Sequence, residues 1–288
     1  MKKILIGLLV ISAFFSSCKK DEQVVVPNNT APPDPTISNS IKEGYVTKLY
    51  ISVLGREPDS LEFVKGLNII NQGNLSVTSR KQLIDSVLNK NEYYDRVYQI
   101  SRTDLLNDLD TADITTYIGI FQFLLTENAY QAAWPQITIE INRLDTLRRV
   151  PVDLKSGAIN VIEIHRRCVN NYFYDQLNMG TENFVVSLFS HFLFRYPTDA
   201  ELDNSKKMVD GQTEIVFLEN GKNKNEYMKI FFNSNNYLEG QVRDLYVRYL
   251  FRQPTSEETS ARMTLYKSAL DYKKLQKEIL SLDEYVGI

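Results

Sequence analysis

Residues 46–59 read VTKLYISVLGREPD, and the phrase returns as VVSLFSHFLFRYPT at 185–198 and as VRDLYVRYLFRQPT at 242–255. In each copy the first, fourth, fifth, eighth and ninth residues are apolar. This spacing places them on one face of an α-helix. The phrase therefore predicts an amphipathic helix that the chain uses three times.

The end of each copy predicts that one helix stops and a second begins. An arginine stands in the last turn, where a cation complements the helix dipole and can bind free carbonyls. A proline two residues later forbids continuation of the helix. An Asp or Thr then serves as N-cap, and a Glu three residues further on completes a capping box. These structural repeat residues are Arg56, Pro58, Asp59, Glu62, Arg195, Pro197, Thr198, Glu201, Arg252, Pro254, Thr255 and Glu258.

A third apolar segment closes each copy and ends in an aromatic residue. The three ends read NEYY at 91–94, SNNY at 234–237 and SLDEY at 281–285. We expect these terminal tyrosines to be buried. The predicted fold class is all-α, a multi-helical array of repeated helix–Pro/N-cap–helix–helix units.

The long gap between the first two copies predicts helices of its own. One opens at 111–114 and runs through Tyr130, a second starts at Pro135, and a third runs from Pro151 toward Tyr174. One segment departs from helix: the β-branched run at 214–221 ends in Asn-Gly, which is typical of a short hairpin or loop. The predicted divisions are a signal peptide at 1–17, a lipidated tether at 18–40, the first unit at 41–109, intervening helices at 110–180, and the second and third units at 181–288.

The N-terminus has the pattern of a processed signal peptide. Two lysines precede an apolar run over residues 4–15, which is shorter than the roughly 20 residues of a spanning helix. Ser16-Ser17-Cys18 then resembles a bacterial lipoprotein signal, which implies that Cys18 carries a lipid such as palmitate. An ordinary secretory signal with an incidental cysteine is the alternative.

The residues after the cysteine predict where the protein is exported. A lysine followed by acids resembles the surface-export signal of Bacteroidetes lipoproteins, carried here by Lys19, Lys20, Asp21 and Glu22. A generic charged tether is the alternative. The proline-rich sequence up to residue 40 predicts an extended, solvated tether. Together these features predict lipid anchoring in the outer membrane with the body exposed at the cell surface.

The charge of the chain excludes one class of partner. The formal net charge is −3 at pH 7, and both signs are interspersed along the sequence. A nucleic-acid binder would present a basic face, so nucleic acid is excluded as a partner. The membrane, through the lipid, and a protein partner in the envelope are the partners that we expect.

Few residues could carry catalysis or bind a metal ion. The two histidines, His165 and His191, stand outside any zinc-binding motif and are interpreted as structural. Cys168 has apolar neighbours and is predicted to lie in the core. The carboxylates of 108–113 lack the glycine and the distal Glu of a calcium loop. We therefore expect no metal site, no cofactor and no catalytic residue.

The most unusual polar stretch is rich in arginine and asparagine and lies near the end of the gap. Two interpretations stay open, a buried polar network that joins the gap to the second copy and a ligand-binding patch. The patch would consist of Arg166, Arg167, Asn170, Asn171 and Asp175.

One modification site is also suggested. Asp110-Thr111-Ala112 resembles the O-glycosylation sequon of exported Bacteroidetes proteins. Thr111, which we expect in a loop, is the candidate acceptor.

The first copy carries a resemblance to a known module. The sequence YISVLGREPD at 50–59, followed by NEYY at 91–94, resembles the helical module of unknown function found in bacterial surface and calcium-binding proteins. That module is related to phycobilisome-linker domains. The resemblance implies a helical interaction or scaffold module, and it brings no catalytic residues.

The function that we expect is non-catalytic. The repeats, the tether and the missing catalytic groups favour a lipid-anchored helical scaffold or protein-interaction module. The alternative is a glycan-binding accessory lipoprotein of a nutrient-uptake system, in which exposed tyrosines or Trp134 would stack on sugars. An enzyme that uses His165 or the arginine-asparagine stretch is the third hypothesis.

Overall fold

The computed structural model describes residues 37–288, and these residues form an array of sixteen α-helices with one short hairpin. The all-α prediction is confirmed. The helices are α1 (Asn39–Leu54), α2 (Ser60–Gln72), α3 (Val77–Leu88), α4 (Asn91–Leu106), α5 (Thr111–Leu124), α6 (Trp134–Arg148), α7 (Val150–Lys155), α8 (Val161–Val169), α9 (Tyr172–Leu177), α10 (Thr181–Leu188), α11 (Asp199–Val209), α12 (Lys224–Asn233), α13 (Asn235–Leu250), α14 (Ser256–Ala269), α15 (Tyr272–Leu280) and α16 (Asp283–Val286).

Each copy of the phrase forms the helix stop that its sequence predicts. The first helix of the copy ends on a residue in the left-handed region: Gly55 (φ 75°), Phe194 (φ 55°) or Phe251 (φ 57°). The chain turns through the proline, and the capping box is present at the start of α2, α11 and α14. The structure therefore confirms the local prediction at all three sites.

The motif arginine has a different role from the predicted one. It does not cap the helix that it follows, because its guanidinium binds the capping-box glutamate of the next helix. The closest nitrogen–oxygen distances are 2.7 Å for Arg56–Glu62, 2.6 Å for Arg195–Glu201 and 2.7 Å for Arg252–Glu258. The arginine thereby ties the end of one helix to the start of the next.

A fourth, divergent unit lies in the gap, and α4 is its first helix. This helix ends on Asn107 in the left-handed region (φ 51°), and Asp110 then caps α5 by accepting a hydrogen bond from Asp113 N. The turn holds neither the arginine nor the proline, so the phrase is absent although the geometry persists. We number the units in chain order: the first copy is unit 1, the divergent unit is unit 2, and the second and third copies are units 3 and 4.

Each unit buries a tyrosine at its end, but in the first unit this is Tyr93, and the last residue of NEYY, Tyr94, is only half-buried. Tyr93, Tyr237 and Tyr285 are at most 2% exposed, and Tyr174 holds the same place in unit 2 with 0% exposed. Tyr93 and Tyr237 stand in the first turns of α4 and α13, which are also the first helices of units 2 and 4. Consecutive units therefore share a helix within each half of the body.

Units 1 and 4 exchange their terminal tyrosines. Tyr93 of unit 1 donates to Gln276 Oε1 of α15 at 2.7 Å, and Tyr285 of unit 4 donates to Ser52 Oγ of α1 at 2.8 Å. Helices α3 and α15 pack against each other, with Lys277 Nζ 2.9 Å from Asp85. Each unit thus holds a buried residue of the other.

Units 2 and 3 repeat the same exchange at matching positions. Tyr237 of unit 3 lies 2.7 Å from His165 Nδ1 of α8, and Tyr174 of unit 2 lies 3.1 Å from His191 Nδ1. His165 stands nine residues before its terminal tyrosine, as Gln276 does, and His191 stands four before its motif arginine, as Ser52 does. The two pairs of units are therefore built alike.

This correspondence shows that the body is an internal duplication. Units 1 and 2 form one half and units 3 and 4 the other, with α4 matching α13 and α8 matching α15. Aligning the terminal tyrosines pairs Asp104 with Arg248, which are 144 positions apart and in contact at 3.0 Å. Contact between matching residues is typical of two halves that are related by an approximate two-fold axis.

Several element boundaries differ from the predictions. Helix α5 stops at Leu124, and a 3₁₀ turn over Asn128–Ala133 replaces its predicted continuation to Tyr130. The helix predicted from Pro151 to Tyr174 is three helices, because Gly157 (φ 75°) and the N-caps Asn160 and Asn171 interrupt it. Helix α1 begins at Asn39, inside the predicted tether.

The predicted hairpin is present, and its turn comes before the Asn-Gly pair. Strands β1 (Glu214–Val216) and β2 (Glu219–Gly221) pair antiparallel. The turn is formed by Phe217 (φ 50°) and Leu218 (φ 67°), whereas Asn220-Gly221 lies within β2. Gly221 packs against Met208 and Ile230, where a side chain would have little room.

A glycine in α13 allows this helix to pack closely against the π-turn of unit 3. Helix α10 continues as a π-turn over Phe189–Leu193, and Gly240 packs against its backbone. A Cβ atom at Gly240 would lie 1.7 Å from the Phe192 carbonyl oxygen. Gly44 occupies the matching position of α1, twelve residues before the motif arginine, and faces open space.

Gly240→Ala is expected to lower the free energy of unfolding by about 3 kcal/mol or more, because the added methyl forces α13 away from the π-turn. Gly44→Ala is the matched control. It is expected to raise the free energy of unfolding by about 0.5–1 kcal/mol, because alanine has a higher helix propensity than glycine and the added methyl meets no neighbouring atom. Urea unfolding followed by circular dichroism measures both. Equal effects at the two positions would contradict the close contact.

Candidate functional site

The main candidate site is a cleft of about 340 Å³ where α4 and α13 meet beside the approximate two-fold axis. We call it the central cleft. Helices α8 and α15 and the π-turn after α10 complete its walls. It is lined by Val97, Ile100, Ser101, Asp104, Leu105, Val161, His165, Ser190, His191, Phe192, Phe194, Gln241, Asp244, Arg248, Tyr249, Tyr272 and Gln276.

The two halves contribute matching positions of opposite character. Aligning α4 with α13 pairs Val97 with Gln241, and Ile100 with Asp244. The wall from α4 is therefore mostly apolar, whereas the wall from α13 is polar. Divergence after duplication has made one side of the cleft a hydrogen-bonding surface.

An ion cluster spans the cleft. The Arg248 guanidinium lies 3.0 Å from Asp104 and 3.1 Å from Asp244. Burial raises the pKa of the Asp244 carboxyl, although Arg248 acts against this shift. The arginine is shared between two carboxylates, so the cluster as a whole carries a negative charge.

His165 is enclosed beside the cleft and stays neutral. Burial lowers the pKa of His165 to about 3, and the positive charge of Arg248 adds to this shift. Its Nδ1 is engaged with Tyr237 Oη at 2.7 Å, and its ring packs 5.1 Å from the ring of Phe192. The structural interpretation of this histidine is supported by these contacts.

His191 stands at the mouth of the cleft, on the π-turn, and is exposed. Its Nδ1 lies 3.1 Å from Tyr174 Oη, and the partial desolvation of the ring on the protein side lowers its pKa. The cleft thus brings together the two histidines that the sequence singled out, and both bind terminal tyrosines.

The two glutamines of the cleft differ in the hydrogen bonds that they form with the protein. Gln276 accepts from Tyr93 Oη and donates to Tyr249 Oη, each at 2.7 Å. Gln241 is 3% exposed and lines the cleft, yet its amide forms no hydrogen bond with any group in residues 37–288. The residue as a whole is buried, but its amide nitrogen and oxygen are open to the cleft, where a bound molecule can reach them.

The arginine-asparagine stretch lies outside the central cleft, and most of its side chains form ion pairs or hydrogen bonds with other protein groups. Arg166 binds Glu163 at 2.7 Å, and Arg167 binds Asp153 at 2.7 Å. Asn171 caps α9 and donates to the carbonyls of Arg167 and Cys168. These contacts form the polar network that was one of the two interpretations.

The remaining residues of that stretch also face protein. Asp175 binds Lys224 of α12 at 2.5 Å, which joins units 2 and 3. Asn170 Oδ1 is buried without a hydrogen-bond partner in the described chain. Cys168 is 0% exposed, as expected for a core residue, and burial raises the pKa of its thiol to about 12.

Two further groups of sequence predictions can be placed. Thr111 is the exposed first residue of α5, so the expectation that it lies in a loop is wrong, and its glycosylation stays a prediction. The lipidation and export residues, Cys18, Lys19, Lys20, Asp21 and Glu22, lie outside the described residues.

Metal binding and membrane spanning can be examined in the described part of the chain. No three His, Cys, Asp or Glu side chains of residues 37–288 are grouped so that they could hold a metal ion. None of the helices in that range has the length and apolar character needed to cross a membrane.

No protein-family model, curated protein or solved structure matches the chain.

Sequence reasoning missed most of the cleft. Asp104, Gln241, Asp244 and Arg248 were not singled out, because nothing local in the sequence shows that α4 and α13 line the same cleft. The signal that could have found them is the alignment of NEYY at 91–94 with NNYL at 235–238, which pairs the cleft residues of α4 and α13.

The neutral His165 makes stability depend on pH. The unfolded chain protonates this histidine at its ordinary pKa near 6.5, whereas the folded chain keeps it neutral down to about 3. The stabilisation is therefore complete above pH 6.5 and is lost as pH falls toward 3. We expect the free energy of unfolding to fall by about 2 kcal/mol more between pH 7 and 5 in the wild type than in His165→Asn.

Denaturant unfolding of both chains at the two pH values measures this difference. Asparagine can still reach Tyr237 from the position of Nδ1, and contributions from His191 and Asp244 cancel in the comparison. An identical pH dependence in the two chains would rule out a buried neutral histidine.

Proposed function

We propose that the chain is a non-catalytic lipoprotein, anchored in the outer membrane and exposed at the cell surface, whose helical body is a scaffold or protein-interaction module. The anchor is proposed from Cys18 and the charged residues that follow it. The body supports the proposal because the repeated arginines and glutamates bind one another, and the positions that differ between the units remain available to contact a partner. The resemblance to the linker-related helical module points to the same kind of function.

The observation that carries the proposal is a set of exposed aromatic side chains at the helix stops of units 3 and 4. Tyr196 is 77% exposed, Phe251 is 83% exposed and Phe194 is 43% exposed. Unit 1 has Gly55 and Glu57 in the places of Phe194 and Tyr196. Aromatic side chains are enriched at protein interfaces, so these positions suit a protein partner with an apolar surface.

Replacing Cys18 by serine tests the anchor. Cys18→Ser is expected to abolish labelling with palmitate and to release the protein from the outer-membrane fraction, because the thiol is the acylated group. Cys168→Ser is the matched control and should keep both properties, since that thiol is buried in the body. Digestion of intact cells with proteinase K tests surface exposure of the wild type. Undiminished labelling of Cys18→Ser would contradict the lipoprotein assignment.

Photo-crosslinking tests the interaction surface. A photoreactive phenylalanine analogue at Tyr196 or Phe251 is expected to give one discrete crosslinked species in intact cells, because both side chains face outward beside a helix stop. The same analogue at the exposed Lys65 of α2 is the control and should give none. No product at either aromatic site, or the same products at all three positions, would contradict the proposed surface.

A glycan-binding accessory protein of a nutrient-uptake system is the second candidate, and the central cleft favours it. The cleft combines an apolar wall with convergent polar groups, which is the composition of small-molecule sites. Trp134 does not contribute to it, because its indole donates to the Leu124 carbonyl at 3.2 Å and braces the 3₁₀ turn.

A further inference from the structure

The central cleft has the size of a site for a small organic molecule. Its volume of about 340 Å³ falls at the lower end of the range for ligand pockets, roughly 300–1,000 Å³. Its mouth is marked by the exposed residues Asp104, His191 and Phe194, while Gln241 and Gln276 are buried in its walls. A ligand could therefore enter from solvent and reach buried polar groups.

Gln241 is the residue that points to a ligand. Its amide carries both donors and an acceptor, and all of them lack a partner within residues 37–288. The neighbouring Gln276 shows that the fold can satisfy a buried glutamine when the role is structural. Because the Gln241 amide is open to the cleft and makes no hydrogen bond within residues 37–288, its donors and its acceptor are available to a bound molecule.

The charges of the cleft select against ionic ligands. Arg248 is already bound by Asp104 and Asp244, so it has little capacity left to attract an anion. The two carboxylates outnumber the single arginine, and an anion would meet net repulsion. A cation would have to compete with Arg248 for the same carboxylates.

The remaining hydrogen-bonding groups call for a ligand that both donates and accepts. Asp244 accepts hydrogen bonds only from Arg248 among the described groups, so lone pairs stay free for a donor. Ser190 adds a hydroxyl at the π-turn, and Gln241 adds its amide. Hydroxyl groups satisfy both requirements, because each donates one hydrogen bond and accepts others.

The apolar wall completes the chemistry. Val97, Ile100 and Leu105 of α4 face the polar residues of α13, with the ring of Phe194 at the mouth. A sugar ring has a C–H face and a rim of hydroxyls, and this division matches the two walls.

We infer that the central cleft binds a small, uncharged, polyhydroxylated ligand of the size of a mono- or disaccharide, and that the Gln241 amide binds its hydroxyls. The inference rests on the second candidate function, because it specifies where and how the protein would hold a glycan.

The test is calorimetric titration of the full-length chain, purified in detergent, with a panel of neutral mono- and disaccharides. Glucuronate and glucosamine serve as the anionic and cationic counterparts. Gln241→Leu keeps the side-chain volume and removes the amide, and it is expected to raise the dissociation constant at least tenfold. Ile100→Phe fills the cleft from the apolar wall and should abolish binding. Gln72→Leu, at an exposed site of α2, is the matched control and should bind as the wild type does.

The outcomes separate the cleft from the broader function. Binding of a neutral sugar that weakens in Gln241→Leu and Ile100→Phe but not in Gln72→Leu supports the inference. Binding that all three variants retain overturns the cleft site and leaves glycan binding elsewhere on the protein. Preference for glucosamine or glucuronate over the neutral sugars overturns the uncharged ligand class. Failure of every sugar to bind overturns both the cleft inference and the second candidate function.

Discussion

The reciprocal burial of terminal tyrosines is the constraint on which the rest of the structure depends. A helical unit of this kind cannot bury its own last aromatic residue, so each unit places it in another unit. Four tyrosines make this exchange in two pairs. In each pair one hydroxyl contacts a side chain just before a helix stop, Ser52 or His191, and the other contacts a side chain of α15 or α8, Gln276 or His165. Burying a ring and pairing its hydroxyl both favour association, and the hydroxyl also specifies the register. The units therefore fold as pairs.

This exchange places α4 and α13 on opposite sides of the central cleft. Each of these helices ends one unit and begins the next, which leaves them at the centre of the body. Matching residues meet there, and Asp104 against Arg248 shows that the two sides have diverged into complementary charges. A duplicated fold offers two copies of every position near its axis. One copy can keep the apolar packing while the other acquires polar groups, and Val97 opposite Gln241 is an example.

The local sequence was sufficient to predict an element wherever the interactions that form it join residues close together in the chain. The helix stops at Gly55, Phe194 and Phe251 follow from a proline, an N-cap and a glutamate within a few residues, and the structure reproduces them. The hairpin was predicted from composition, but the position of its turn was not, because two bulky residues, Phe217 and Leu218, adopt the left-handed conformation there. Unit 2 was missed because Asp108 stands where the other units have arginine, although the backbone keeps the left-handed cap at Asn107.

The sequence by itself determined that this protein is all-α, that its helices stop and restart at three readable sites, and that Cys168 lies in the core. These features depend on neighbours within about one helical turn, which a pattern of residue types records. Only the tertiary structure decided that there are four units, that they pair by exchanging tyrosines, and that Gln241, Asp244 and Arg248 line one cleft. Most of those relations join residues that are far apart in the sequence, such as Ser52 and Tyr285, which are 233 positions apart, and no local rule links them. The candidate sites lie at positions that differ between the units, because the side chains that the units share form the helix stops and the contacts between units.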